Sequence, residues 1–388
     1  MSDSGSILDK IIESKQIQEA TEFDPGEIIS NLFKSLSPKE RDIIYRRFGL
    51  GGKHKETLEQ IGKYYEITRE RIRQIESVTI KKIKELQDFR SKIEVAERNV
   101  THLLEKHGGL MEEAHFLEKL LDFSDNNDIN RQASVFMLNN LLDHAVERVK
   151  PDDDLHAGWK LQSTSLDSVR QLITEISQSI ETQGQLLSDT GLVQAFKQNN
   201  FFKSNPEQFL GYPIDEKDAR EVDQEITKIL GSLLRISKRV GSNILGEWGL
   251  SHWTTISPKR MSDKVYLVLK QSGEPQHFTK ITELINQASF DSKVAYPATV
   301  HNELILDDRF VLVGRGIYAL AEWGYTPGTV IDIITTILQK EPEGLTKEEI
   351  VKRVLDQRIV RKSTIYLALT NKGVIQKSPV GKYVLVMA

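Results

Sequence analysis

The stretch Thr57–Leu86, TLEQIGKYYEITRERIRQIESVTIKKIKEL, decides how this chain is read. Thr57 followed three residues later by Gln60 has the capping-box signature, so a short helix opens at LEQIGKYY. After a tight break at Glu66-Ile67, Thr68 is placed to cap a longer one, and two helices so spaced form a helix-turn-helix. At about 100° per residue, the second helix gathers Ile72, Ile75, Val78, Thr79 and Ile83 on one side. Arg69, Glu70, Arg73 and Gln74 fall on the other side, near its start. Those four are residue types that read base edges in a major groove: arginine chelates guanine, glutamate accepts from cytosine, glutamine pairs with adenine. Upstream, Ser37, Pro38 and Glu40 mark the start of a preceding helix that should stop at Gly49. Lys39, Arg47, Lys81, Lys82 and Lys84 surround the reading face at element ends, where cations usually meet phosphate. The competing reading is a solvated amphipathic helix that binds nothing.

Charge distribution favours the first reading. The whole chain of 388 residues has a net charge of −4, which by itself speaks against nucleic acid. Between Lys34 and Leu86, however, 14 lysines and arginines stand against 8 aspartates and glutamates, a balance of +6. The remainder has 38 basic against 48 acidic residues, a balance of −10. One basic module in an acidic chain is the electrostatic footprint of a single domain that meets a polyanion.

The rest of the chain reads as compact modules with short joints and no low-complexity segment. Four stretches, VERVKPDDDLHAGW, KRVGSNILGEW, RFVLVGRGIYALAEW and GVIQKSPVGKYVLV, have two apolar runs around a turn and are expected to be hairpins. Helical patterns precede each hairpin, which is the winged-helix order. The expected fold is therefore mainly α, an N-terminal helix-turn-helix followed by tandem winged-helix (α+β) units. The expected segments are an extension over 1–29, the helix-turn-helix over 30–90, and winged units over 91–162, 163–250, 258–325 and 326–388. Trp159, Trp248 and Trp323 recur at hairpin ends, where packing over the unit's own core is expected rather than base stacking.

Within residues 34–86, the stretch from LSPKERDIIYRRFGLGG at Leu36 to KKIKEL resembles region 4 of the primary bacterial sigma-70-type factors, and TRERIRQIE is close to a direct match. The resemblance covers about 50 of the 388 residues. It implies that Arg69, Glu70, Arg73 and Gln74 read a −35 promoter element in double-stranded DNA. It also implies that Lys39, Arg47, Thr57 and Leu58 approach the DNA backbone, and that the module docks on the β flap of RNA polymerase core. Residues 260–325 resemble the HARE-type winged helix of the polymerase delta subunit, through PATVHNELI and RFVLVGRGIYAL. In the last unit, Arg361, Lys362, Ser363 and Thr364 open a helix and form a candidate second DNA contact.

Other function classes find little support. With no cysteine, thiolate zinc sites and thiol catalysis are excluded. The nine histidines show no ligand spacing, GLGGKHKET lacks phosphate-loop spacing, and PDDD at Pro151 reads as a turn. No enzyme, metal, cofactor, small-molecule substrate or membrane association is expected, and the cytoplasm is the expected location. Nothing resembles the sigma module that melts the −10 element, so the chain is expected to act beside a sigma factor or compete with one. Two alternatives stay open: a delta-like polymerase modulator with little DNA readout, and the DNA-recognition subunit of a restriction or defence system.

Overall fold

The computed structural model describes residues 23–122, 124–198, 203 and 218–386. The chain divides into two compact units, residues 1–241 and 242–388.

The first unit begins with helices α1 (Pro25–Leu32), α2 (Pro38–Phe48), α3 (Leu58–Tyr65) and α4 (Arg69–Lys84). Their ends are set by local chemistry. Ser37 and Thr57 form reciprocal capping boxes with Glu40 and Gln60, and the Thr68 hydroxyl accepts from the Arg71 amide. Gly49 closes α2 in the left-handed region at φ 71°. Glu66 takes the same region, φ 56°, in the turn between α3 and α4. That turn is tight, since a Cβ on Gly62 would lie 2.7 Å from the Ile67 carbonyl oxygen. Ile43, Ile61 and Ile72 form the small core of the three helices, backed by Leu58, Tyr65, Ile67 and Ile75.

Next come α5 (Phe89–Glu105), β1 (Leu110–Glu112), α6 (Glu113–Leu120), α7 (Asp128–Asn140), β2 (Val146–Val149) and β3 (Gly158–Leu161). The three strands form an antiparallel sheet in the order β1-β3-β2, with Trp159 buried on the central strand. The element order is helix, strand, two helices and two strands. Its third helix, α7, faces the helix-turn-helix: Phe136 meets Phe33 and Phe48 edge-on at 5.8 and 4.8 Å, and Asn130 Oδ1 accepts from the Gly26 amide at 3.1 Å. One hydrophobic core therefore runs from Phe23 to Trp159 through both segments. Then follow α8 (Leu166–Gln183), α9 (Asp189–Gln198) and α10 (Ala219–Arg235). The acidic turn after β2 is clamped here: Asp152 pairs with Arg170, Asp154 with Arg239 at 2.8 Å, and the Lys238 amide donates to the Asp154 carbonyl. Arg235 stays exposed beside this clamp, while Lys238 and Arg239 are engaged in it.

β4 (Val240–Ser242) leads into the second unit, where β5 (Trp248–Leu250) is followed by α11 (Met261–Ser272), β6 (Gln276–His277), α12 (Phe278–Ala288), α13 (Pro297–Leu306), β7 (Phe310–Gly314) and β8 (Ile317–Leu320). The sheet order is β6-β8-β7, the same arrangement as in the first unit. Gly316 takes φ 70° at the hairpin tip and leaves Arg315 exposed there. Last come α14 (Val330–Gln339), α15 (Lys347–Leu355), α16 (Lys362–Ala368), β9 (Ile375–Lys377) and β10 (Tyr383–Leu385). β9 and β10 pair antiparallel, and Leu345 bridges to Tyr383 on the outer side of β10, which repeats the 1-3-2 order.

Candidate nucleic-acid interface

α4 is held on the module by Ile72, Thr79 and Ile83, all buried, with Ile75 partly buried against the same core. Arg69, Glu70, Arg73 and Gln74 are all exposed at its N-terminal end. They lie close enough to engage one another. Arg73 pairs with Glu70, donating from Nη2 at 2.6 Å and from Nε at 2.9 Å, and Arg71 Nη1 donates to Gln74 Oε1 at 3.1 Å. The Arg73 guanidinium holds the Glu70 carboxyl below its ordinary range. Arg71 is not among the residues expected at this face, because helical angle alone does not show that its guanidinium reaches the Gln74 side chain. The apolar pattern puts Val78 on the buried side, whereas the structure leaves it 63% exposed. Thr79, one residue on, fills the core position instead.

The residues expected at the backbone divide into free and engaged groups. Lys39 is exposed, with Nζ 5.2 Å from the centre of the Tyr65 ring. Lys81 is exposed and reaches Glu85 at 3.7 Å, while Lys82 pairs with Glu40 at 3.1 Å. Arg47 is half-buried and donates to Glu76 at 3.1 Å, which ties α2 to α4. Thr57 caps α3 and Leu58 packs beneath it, so what this pair presents outward is the start of a helix, with amide hydrogens free of helical partners. Lys84 turns away to pair with Asp143 at 2.6 Å, so it belongs to the seam with the next segment rather than to the cationic rim.

Within the same module, Asp42 gathers three donors: Arg46 at 2.7 Å, the Tyr65 hydroxyl at 2.5 Å, and Lys53. Burial works to raise the Asp42 pKa, yet these donors hold the carboxyl far below its usual range. Burial, with Asp42 alongside, pushes the Tyr65 hydroxyl up to about 12. A carboxylate with a depressed folded-state pKa stabilises fully above its unfolded value, about 4, and loses that contribution as pH falls below it. Asp42→Asn is therefore expected to cost about 1–2 kcal/mol at neutral pH. The variant should also lose less stability than the parent between neutrality and strong acid. Thermal melts across that range check this, and parallel curves for the two proteins would contradict it.

Arg361, Lys362, Ser363 and Thr364 lie together and exposed at the head of α16 in the second unit. Trp159 and Trp248 are buried and Trp323 is half-buried against its own segment's core, as expected for packing residues. Among the described residues there is no group of histidines and carboxylates that could hold a metal ion, and no helix long and apolar enough to cross a membrane.

A family model described as sigma-70, region 4, matches residues 32–85. The RNA polymerase sigma factor SigA of Microcystis aeruginosa is 45% identical over 58 residues, which cover 15% of this chain and 14% of that protein. RpoD of Neisseria gonorrhoeae is 38% identical over 58 residues, 15% of this chain and 9% of that protein. SigA of Lactococcus lactis subsp. cremoris is 37% identical over 89 residues, 21% of this chain and 24% of that protein. The chain thus spans about one seventh of the Microcystis relative's length, and the likeness lies in the helix-turn-helix. The N-terminal module is a region 4 of the sigma-70 type.

Proposed function

We propose that the chain is a DNA-binding transcription regulator whose region 4 module reads a −35-type promoter element and associates with RNA polymerase core through its β flap, with no catalytic role. The observation that carries this reading is the exposed set Arg69, Glu70, Arg73 and Gln74, in which Arg73 pairs with Glu70, at the start of a helix whose opposite side is locked into a core. The Arg73–Glu70 pair is fully solvent-exposed, so exchanging it for base contacts costs little. Arg73 presents a planar fork suited to guanine, and Glu70 an acceptor suited to cytosine. Lys39, Lys81, Lys82, Arg47 and the α3 start at Thr57–Leu58 would flank these contacts at the phosphates.

The test is binding of the whole protein to a duplex carrying a −35-type hexamer and to a scrambled duplex, with and without polymerase core. A preference of at least about tenfold, or 1.4 kcal/mol, is expected. Arg73→Ala should remove it at a cost of about 1–3 kcal/mol while relaxing one base position. Lys81→Ala should weaken both duplexes alike and flatten the salt dependence by about one unit. Equal binding to both duplexes, together with tight core binding insensitive to Arg73→Ala, would instead favour the delta-like modulator. The exposed Tyr296, Ile305 and Leu306 around α13 suit protein docking better than a groove, and they are the observation behind that second reading.

A further inference from the structure

The third helix of a winged-helix unit is the one placed to meet a partner, and three segments of this chain allow the same topological position to be compared. In the first, the apolar face of α7 is buried against the region 4 module. In the second, α13 exposes Tyr296, Ile305 and Leu306, and its segment, residues 258–325, is neutral with 8 basic and 8 acidic residues. In the third, α16 exposes Arg361, Lys362, Ser363 and Thr364. Its segment, residues 326–388, has 10 basic against 6 acidic residues, a balance of +4 hidden inside the −10 of the chain outside the first module.

Three of the six acidic residues of this last segment are engaged elsewhere. Asp332 and Glu349 close capping boxes with Thr329 and Thr346, and Glu341 pairs with Arg353 at 2.9 Å. Arg361 and Lys362, and Lys377 at the end of β9, have no ion-pair partner among the described residues. Lys347 lies over the Tyr366 ring at 3.6 Å, which fixes that aromatic on the exposed side of α16 and adds a further cation to the same face. Exposed cations at the start of the third helix, followed by two hydroxyl donors, and a further exposed cation on β9 match the residue types that contact the phosphates of duplex DNA.

We propose that the C-terminal winged unit is a second DNA-contacting surface, holding the phosphate backbone of duplex DNA through Arg361 and Lys362 on α16 and Lys377 on the wing. This surface carries charge rather than a base-reading set, so it contributes affinity without sequence preference. It goes beyond the promoter reading of the N-terminal module and stands or falls separately from it. The experiment uses the full chain and a duplex that lacks a −35-like hexamer, titrated over a range of salt concentrations. Arg361→Ala combined with Lys362→Ala should make the slope of log Kobs against log salt shallower by about 1.8, the value for two lost phosphate contacts. The charge-retaining pair Arg361→Lys and Lys362→Arg should leave the slope as in the parent, which separates lost charge from a misfolded unit. Hexamer preference on the specific duplex should persist in both variants, because it reports α4. An unchanged slope in the alanine pair overturns the proposal, and an unchanged slope with weakened binding to polymerase core would reassign this surface to a protein partner.

Discussion

Replacing Phe136 by alanine is expected to destabilise the region 4 module by about 3–5 kcal/mol, although the residue lies more than 40 positions beyond the end of that module. Phe136 is 1% exposed and its ring contacts both Phe33, just after α1, and Phe48, at the end of α2. Truncation would leave a cavity bounded by those two rings, by Met137 and by Leu141, in a core that already spans both segments. The Gly26 amide bond to Asn130 Oδ1 and the Lys84–Asp143 ion pair flank the same seam. Together they make the helix-turn-helix and the segment behind it one cooperative body rather than two modules on a tether. Amide hydrogen exchange across residues 38–84 is the informative measurement, because it separates global coupling from local damage. Protection in α2 and α4 should fall together with that of α7. Unchanged protection in α2 and α4, with loss confined to residues 89–161, would show two independent folds and refute the single core. The consequence is geometric: α4 is oriented by a body larger than the region 4 module, because one hydrophobic core runs through both segments.

How much of this was legible in the sequence depended on the range of the interactions. Ser37, Thr57 and Thr68 act on amides three residues away, and Gly49 acts through its own φ, so helix ends could be read from short windows. The exposed set on α4 was legible for the same reason, since helical angle alone separates Arg73 and Gln74 from Ile72. Val78 was misplaced because it stands about 100° from Thr79. A branched apolar residue and a threonine next to it compete for one core position that only tertiary packing assigns. The destination of α7 could not be read at all. Its apolar residues Phe136, Met137 and Leu138 would look the same whether they filled their own unit, a partner or, as found, the face of another module. The cation at Lys84 has the same history, because Asp143 lies 59 residues away in sequence. The positive balance of the last segment was present in the composition but concealed by averaging over an otherwise acidic remainder.

Arg358→Met should loosen the last segment, residues 326–388, from the one before it at a cost of about 3 kcal/mol, while both segments keep their own folds. Arg358 is 4% exposed and its guanidinium ends among carbonyl oxygens: Thr326 at 2.7 Å, Gly328 at 2.6 Å, and Leu312 on β7. Burial pushes its pKa down, and no carboxylate pairs with it directly, so these carbonyls supply the compensation for burying the charge. Methionine retains the length and apolar volume of the arginine stem but leaves the three acceptors without their donor. The next residue completes the join, since the Ile359 amide donates to the Val313 carbonyl at 2.8 Å and so extends the edge of β7. Gly314 closes the same seam from the other side, because a Cβ there would stand 2.7 Å from the Ile359 carbonyl oxygen. Gly314→Ala should therefore have the same effect as Arg358→Met by a steric route. Both variants should lower the protection of the Ile359 amide and split the melting of the second unit into two steps. A single transition at the parent temperature, with Ile359 still protected, would show that the segments are joined by contacts other than this guanidinium. If the DNA contact proposed for α16 holds, Arg358→Met should leave the salt slope on nonspecific duplex as in the parent, because the charges on α16 survive when its seating is lost.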